Sequence, residues 1–150
     1  MKRVFCLIAL LALIVGVIPI SVQAAETITT VEYLEDGSYI VTEITESYTR
    51  MLTKVGSKTR TYYDTRGNLE WKIVVTGEFL YDGTTATCTY ATGTTTIYQT
   101  ARWYKISDGA SYSGNAATYS VTCGYKDLGV TTGTESYSVT LHCDQNGNLS

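Results

Sequence analysis

The chain has 150 residues, a formal net charge of −3 and a sequence pI near 5.1. Its 11 basic residues against 14 acidic ones do not build the cationic footprint that nucleic acids and anionic membrane surfaces require, so both partners are excluded. With one histidine and four cysteines, the chain is also poor in the side chains that most often form catalytic or metal sites, and we expect no cofactor and no metal.

Residues 1–24 have the pattern of a secretory signal peptide. Lys2 and Arg3 precede an apolar run from Val4 to Ile20, and the small-residue exit Val22-Gln23-Ala24 follows. An uncleaved segment would act as an anchor, but Pro19 and this exit favour cleavage after Ala24. We therefore predict a secreted, extracellular protein with one domain, residues 25–150. It has nine basic and 14 acidic residues, a net charge of −5, and no further apolar run that spans a membrane.

Hydrophobic residues in this domain recur with a period of two, which is typical of β-strands with one buried face. The pattern is clearest over residues 70–81, where Trp71, Ile73, Val75, Gly77, Phe79 and Tyr81 share the predicted core face and Glu70 lies opposite. Gly77 indicates a bulge or a close backbone approach. Similar alternation predicts two more strands with one core face. In Ala117–Tyr125 the core residues are Ala117, Tyr119, Val121, Cys123 and Tyr125, and in Glu135–Cys143 they are Tyr137, Val139, Leu141 and Cys143. Shorter strands are predicted at Thr27–Leu34, Tyr39–Thr45, Lys58–Tyr63, Thr84–Ala91, Thr94–Thr100 and Trp103–Ser107.

Turn signals separate these strands. Residues that tolerate a positive φ occur at Asp36-Gly37, Arg66-Gly67-Asn68, Asp82-Gly83, Asp108-Gly109, Gly114-Asn115 and Leu128-Gly129. Residues Glu46–Ser57 fit neither a strand nor a helix period and are predicted to cross between two sheets. Many short antiparallel strands in one domain form a sandwich or a barrel, and we predict an all-β antiparallel sandwich.

Catalytic arrangements are weak in this sequence. His142 and Cys143 are neighbours on a predicted strand, so their side chains point to opposite faces and do not form a catalytic pair. A two-residue loop at Asp36-Gly37 would place Glu32 and Glu43 on one face, about 7 Å apart, as in a glycosidase. Two solvated glutamates are the alternative interpretation, and we predict that the chain is not an enzyme.

Aromatic residues give the main candidates for a binding site. Tyr62-Tyr63 and Trp103-Tyr104 are adjacent pairs, and adjacent strand residues cannot both face the core. At least one ring of each pair is therefore predicted to lie on the surface, where flat rings stack on sugars or anchor a protein partner. Packing at an edge or over a glycine is the alternative.

Three cysteines remain after the signal peptide, and an oxidising compartment favours one disulfide among them. Cys88, Cys123 and Cys143 all fall on predicted core faces, so alternation does not select a pair. A hairpin turn at Leu128-Gly129 would place Cys123 opposite about residue 134, whereas a turn at Thr132-Gly133 would bring Cys123 close to Cys143.

Several motifs over residues 55–150 carry a resemblance to known proteins. They are Trp71-x-Ile73-x-Val75-x-Gly77-x-Phe79-x-Tyr81-x-Gly83 with Cys88, then Lys105-Ile106-Ser107, Ser113-Gly114-Asn115, Val139-x-Leu141-x-Cys143 and Gly147-x-Leu149-Ser150. With these motifs the chain resembles small secreted β-rich proteins of Gram-positive anaerobes. The resemblance implies a β fold and an extracellular location, and it implies no activity. Similar proteins carry cysteines at the positions of Cys88 and Cys143, which implies the disulfide that we predict, while Cys123 departs from the pattern.

We therefore expect a secreted, non-catalytic binding domain whose partner is a cell-envelope glycan or a surface protein. Its candidate ligand-binding residues are Tyr62, Tyr63, Trp103 and Tyr104. Two alternatives stay open: a small hydrolase that uses the carboxylates of Glu32 and Glu43, and a surface protein that self-associates through exposed threonine-rich edge strands.

Overall fold

A computed structural model describes residues 26–50 and 52–150, without the side chains of residues 48–50, so the predicted signal peptide lies outside the described residues. The described chain forms eight strands: β1 Thr27–Tyr33, β2 Tyr39–Arg50, β3 Thr53–Tyr63, β4 Leu69–Tyr81, β5 Ala86–Ile97, β6 Trp103–Ser113, β7 Ala116–Asp127 and β8 Val130–His142. Two antiparallel sheets, ordered β1-β2-β3-β4-β5 and β6-β7-β8, pack face to face. The predicted all-β sandwich is confirmed. The described residues include no helix that could cross a membrane.

The core lies between β4 of the larger sheet and β7 and β8 of the smaller sheet. Along β4 the buried side chains alternate as the sequence predicts, because successive strand residues point to opposite faces. The buried apolar residues of this core are Trp71, Ile73, Val75, Phe79, Cys88, Trp103, Ala117, Tyr119, Val121, Cys123, Val139, Leu141, Cys143 and Leu149. The core faces predicted for the strands over residues 70–81, 117–125 and 135–143 are therefore correct, apart from the buried Glu70.

Five of the six predicted turns are confirmed. Gly37, Gly67, Gly83, Gly114 and Gly129 all have a positive φ, which glycine adopts without a steric penalty. The sixth, Asp108-Gly109, is wrong, because both residues lie within β6 and pair with Val121 and Ser120 of β7. A bulge between Lys105 and Ser107 bends β6 without ending it.

Two other predicted boundaries are wrong. The predicted crossing segment Glu46–Ser57 belongs instead to a β2–β3 hairpin, which turns between Arg50 and Thr53. The two strands predicted at Thr84–Ala91 and Thr94–Thr100 are one strand, β5, which pairs along β4 from Tyr81 to Trp71. A bulge opposite Glu78 and Phe79 shifts the register of β5, and the strand continues through Gly93, which pairs with Val75. Hydrophobic alternation alone does not reveal such a bulge.

Glycines at the sheet interface allow close contact between the two layers. A Cβ at Gly77 would lie 2.8 Å from the Cβ of Ala117, which confirms the predicted close approach. A Cβ at Gly93 would overlap the ring of Tyr119, which is buried between the sheets.

Gly93→Ala is expected to lower the free energy of unfolding by about 2 kcal/mol, because an added methyl group has no space beside Tyr119. Gly109→Ala is the matched control, since Gly109 also lies in a strand and nothing lies within 4 Å of its Cβ position. Gly109→Ala should change stability by less than about 0.5 kcal/mol. Urea unfolding of both variants checks this, and equal losses would contradict the close contact.

Candidate functional site

A cavity of about 280 Å³ opens at one end of the sandwich, between the two sheets. Five aromatic side chains line it together with two aliphatic and two charged ones: Tyr62, Trp71, Trp103, Tyr125, Tyr137, Leu34, Ile40, Arg102 and Glu135. We call this cavity the aromatic pocket. Ligand sites are typically apolar hollows with a few polar groups, and a volume slightly below the usual range of roughly 300–1,000 Å³ suits a single ring.

The rings of the aromatic pocket pack in one connected array. Tyr62 stacks on Trp71 with centroids 5.3 Å apart, and Trp71 meets Tyr137 at 4.4 Å. Trp103 then contacts Tyr137 and Tyr125 edge to face. Rings that support one another in this way present flat faces at low conformational cost. The array therefore offers a preformed apolar surface to a ligand.

A buried carboxylate supports the wall of the aromatic pocket. Glu70 is 1% exposed, and it accepts hydrogen bonds from Arg102 at 2.7 Å and from Trp103 Nε1 at 2.8 Å. Alternation along β4 wrongly places Glu70 on the solvent face. The register shifts at this point, because Tyr62 pairs with Trp71 but Tyr63 pairs with Leu69, which leaves Glu70 as the unpaired residue of a bulge. The bulge directs the carboxylate toward β6.

Among the described residues, the Nε1 of Trp71 is the one buried side-chain donor that has no hydrogen-bond partner. Leaving a buried donor unpaired costs about 1–3 kcal/mol, so native proteins rarely do so without a reason. Trp71 lines the aromatic pocket, and the half-buried rings of Tyr62 and Tyr137 pack against it. The Nε1 atom is closed to solvent in this structure, so a ligand oxygen would reach it only after a side chain of the pocket wall moves.

The two tryptophans of the pocket should differ in their contribution to stability. Both Trp71→Phe and Trp103→Phe remove similar volume from buried sites, but only Trp103→Phe also removes a hydrogen bond to a buried carboxylate. We expect Trp103→Phe to be more destabilising than Trp71→Phe by about 2 kcal/mol. Chemical denaturation measures this difference, and a larger loss for Trp71→Phe would contradict the assignment of the unpaired donor.

Two charged residues at the rim complete the aromatic pocket. Glu135 accepts a hydrogen bond from the Tyr137 hydroxyl. Burial, and then this bond, raises the pKa of the Tyr137 hydroxyl above its ordinary value, because both disfavour the phenolate. The Arg102 guanidinium also donates to the Tyr125 hydroxyl at 3.3 Å, which raises the pKa of Arg102. The rim therefore combines one cation and one carboxylate.

The structure separates the four aromatic residues that the sequence singles out. Tyr62 and Trp103 line the aromatic pocket, although Trp103 is only 5% exposed and is a wall residue. Tyr63 lies on the opposite face of the larger sheet and stacks on Tyr39 at 4.7 Å. Tyr104 covers Gly124 on the outer face of the smaller sheet, which is the alternative interpretation stated above. The four residues therefore do not form one patch.

Sequence reasoning does not identify Tyr125 and Tyr137 as pocket residues, because alternation assigns both rings to the core. Each is in fact half-buried at the end of the sandwich. A strand's alternation tells which face a ring occupies, but it does not tell how far along the strand the facing sheet extends.

The predicted carboxylate pair of Glu32 and Glu43 is wrong. The β1–β2 loop spans residues 34–38 rather than two residues, so Glu32 pairs with Ile40 and Glu43 pairs with Thr29. A register change of one residue moves a side chain to the other face of the sheet. Glu32 therefore lies on the inner face and Glu43 on the outer face, and the two carboxylates do not cooperate.

His142 and Cys143 also point apart, since His142 is exposed and Cys143 is buried. Cys88, Cys123 and Cys143 are free, buried thiols, so the predicted Cys88–Cys143 bond is not formed in this structure. Burial raises the pKa of Cys143 to about 11 and also raises the pKa of Cys88, which keeps both thiols protonated. Cys123 pairs with Glu135, away from Cys143, because the β7–β8 turn is at Leu128-Gly129.

Within the part of the chain that the structure describes, histidine, cysteine, aspartate and glutamate side chains do not gather into a group that could hold a metal ion. The aromatic pocket is therefore described by its rings and rim charges alone. No family model, no curated protein and no solved structure matches the chain.

Proposed function

We propose that the chain is a secreted, non-catalytic binding domain that takes a glycan ring in the aromatic pocket. The unpaired Nε1 of Trp71 beside four other aromatic rings is the observation that carries the proposal. The partner is a cell-envelope glycan, free or carried by a surface protein.

A pyranose ring fits this chemistry because it has two kinds of surface. Its C–H groups pack against the flat faces of aromatic rings such as Tyr62 and Tyr137, which bury apolar area on contact. Its hydroxyl groups both donate and accept hydrogen bonds. A sugar oxygen therefore pairs with the N–H of Trp71, and a sugar hydroxyl donates to the carboxylate of Glu135. A purely apolar ligand would leave the indole unpaired.

Co-sedimentation with purified Gram-positive cell walls and with insoluble polysaccharides tests the proposal. We expect saturable binding that a soluble glycan competes, and at least about a tenfold weaker affinity after Tyr62→Ala, which removes one stacking face. Tyr63→Ala is the matched control, because Tyr63 is the next residue of β3 and faces away from the aromatic pocket. Its affinity should be unchanged.

Two outcomes would overturn the glycan assignment. One is protein that stays in the supernatant with every cell wall and polysaccharide. The other is equal loss of binding in the Tyr62→Ala and Tyr63→Ala variants, because two residues on opposite faces of one strand do not share a ligand.

The proposed extracellular location agrees with a disulfide between Cys88 and Cys143 in the mature protein. The Cys88 N–H donates to the carbonyl of Gly114, and the Cys143 N–H donates to the carbonyl of Asn115, so the two cysteines lie at one turn. The negative form of Cys88 is also among the causes that raise the pKa of Cys143, as expected for nearby thiols. An external oxidant that acts before the core closes would join them.

A further inference from the structure

The two sheets of the sandwich are unequal, and the larger one projects beyond the smaller. Strands β3, β4 and β5 pack over β6, β7 and β8, whereas the inner faces of β1 and β2 extend past β8. On this projecting face Ile28 is 49% exposed and Ile44 is half-buried, although both are apolar and pair directly across the β1–β2 ladder. Ile44 packs partly against the core, so Ile28 is the apolar side chain that stays largely exposed on this face, and a partner surface would bury it.

The free edge of β8 lies beneath this projecting face. The backbone of His142 exchanges two hydrogen bonds with Ser150 on the side away from β7. By alternation, the backbone groups of Thr140, Ser138 and Ser136 face the same side, and the ladder to β7 does not use them. The Ser138 carbonyl accepts only a long 3.4 Å bond from Arg60. This edge is therefore a template for a further strand.

A groove of about 330 Å³ separates the β8 edge from the projecting face, and its charges are unevenly paired. Lys58 and Arg60 both line the groove from β3, while Glu32 contributes one carboxylate, 3.8 Å from Arg60. Within the described residues Lys58 forms no ion pair. The groove therefore has one cation in excess, and an incoming strand with an inward carboxylate would neutralise it.

The inner face of β1 and β2 projects beyond the β8 edge, and we call this side of the sandwich the step. We propose that the step binds a second copy of the chain, and that the two copies form a closed twofold dimer. The twofold axis runs along the strands between the two layers. The β1 edge of each copy then continues into the β8 edge of the other, and the projecting faces of the two copies cover each other. Two sheets of five and three strands become two sheets of eight.

The arrangement satisfies each of the unpaired features at once. Ile28 and Ile44 of one copy bury against the same residues of the other. The strand that reaches β8 is β1, which carries Glu32 on its inner face. An axis along the strands keeps Glu32 level with Tyr62, so the incoming carboxylate enters the groove at its Arg60 end and offsets the excess positive charge. The contact is self-complementary, so each copy uses the whole of its step in the dimer. No binding surface is left for a third copy, and growth stops at two.

Sedimentation velocity over a wide concentration range tests the dimer on the purified, processed protein. We expect one reversible monomer–dimer equilibrium. Ile28→Lys should weaken the dimer affinity at least about tenfold, because it places a charge in the interface between the two copies. Ile106→Lys is the matched control, because Ile106 is 50% exposed on β6, away from the step, and should leave the equilibrium unchanged. Circular dichroism confirms that both variants keep the β fold.

A second variant tests the β8 edge independently of β1. Ser138→Pro removes a backbone N–H that faces the free edge, and an edge strand tolerates this change without losing its own ladder. We expect the same loss of dimer as with Ile28→Lys. A protein that stays monomeric at every concentration, grows into open polymers, or dimerises equally well in the Ile28→Lys and Ser138→Pro variants would overturn the proposal.

Discussion

Arg102→Ala is expected to lower the free energy of unfolding by about 3 kcal/mol, although Arg102 itself is a partly exposed surface residue. Its side chain is 45% exposed, but the carboxylate of Glu70 that it neutralises is 2% exposed. Removing the guanidinium leaves a buried charge with only Trp103 Nε1 as a donor. The loss of stability comes from the buried carboxylate of Glu70, which remains charged without its partner, and not from the attraction within the ion pair. Urea unfolding measures it.

Lys105→Ala provides the control for this prediction. Lys105 is 44% exposed, much as Arg102 is, and it contacts Asp108 at 3.0 Å, but that carboxylate is 31% exposed and remains solvated without its partner. We expect a loss below about 1 kcal/mol. The double variant Glu70→Gln with Arg102→Ala should be more stable than Arg102→Ala alone, because a neutral amide still accepts the Trp103 hydrogen bond. Equal effects of Arg102→Ala and Lys105→Ala would contradict the role of Glu70.

Reduction of the mature protein is expected to lower its free energy of unfolding by about 4 kcal/mol. A Cys88–Cys143 disulfide would close a loop of some 55 residues, and the chain-entropy model assigns that amount to such a loop. The intact mass should be two hydrogens below the fully reduced value, and proteolysis without reductant should yield one crosslinked peptide that contains both cysteines. Cys123 should react with a thiol reagent only after unfolding, because it is 1% exposed.

Cys123→Ser is the control for this disulfide. It should leave the crosslinked peptide and the effect of reduction unchanged, apart from the modest cost of a buried hydroxyl. A crosslink that contains Cys123, or three free thiols in protein recovered from an oxidising medium, would contradict the proposed pairing.

The fold could be predicted from sequence where one physical signal acted alone. Alternation placed the core faces of β4, β7 and β8 correctly, because each strand has one buried and one solvated side. Glycines marked five turns correctly, because a residue without a Cβ adopts a positive φ at no steric cost. Errors occurred where a bulge or a loop changed the register, as at Glu70 and at residues 34–38. Such shifts depend on the partner strand, which a single strand's sequence does not specify.

The candidate site was predicted only in part for a related reason. Adjacent aromatic pairs correctly indicated that some rings leave the core, and Tyr62 and Trp103 do meet in the aromatic pocket. Tyr125 and Tyr137 follow perfect alternation and so carried no signal of their own. Their exposure comes from their position near the end of the sandwich, which depends on how eight strands align.

The most direct test of the proposed function uses the two tryptophans of the chain, since both Trp71 and Trp103 line the aromatic pocket. Intrinsic tryptophan fluorescence is recorded while soluble glycan fragments released from cell walls are titrated into the protein. We predict a saturable shift in emission that Tyr62→Ala moves to at least about tenfold higher ligand concentration and that Tyr63→Ala leaves unchanged. Saturable sedimentation of the protein with cell walls while fluorescence stays constant would contradict the proposal, because the glycan would then bind away from the aromatic pocket.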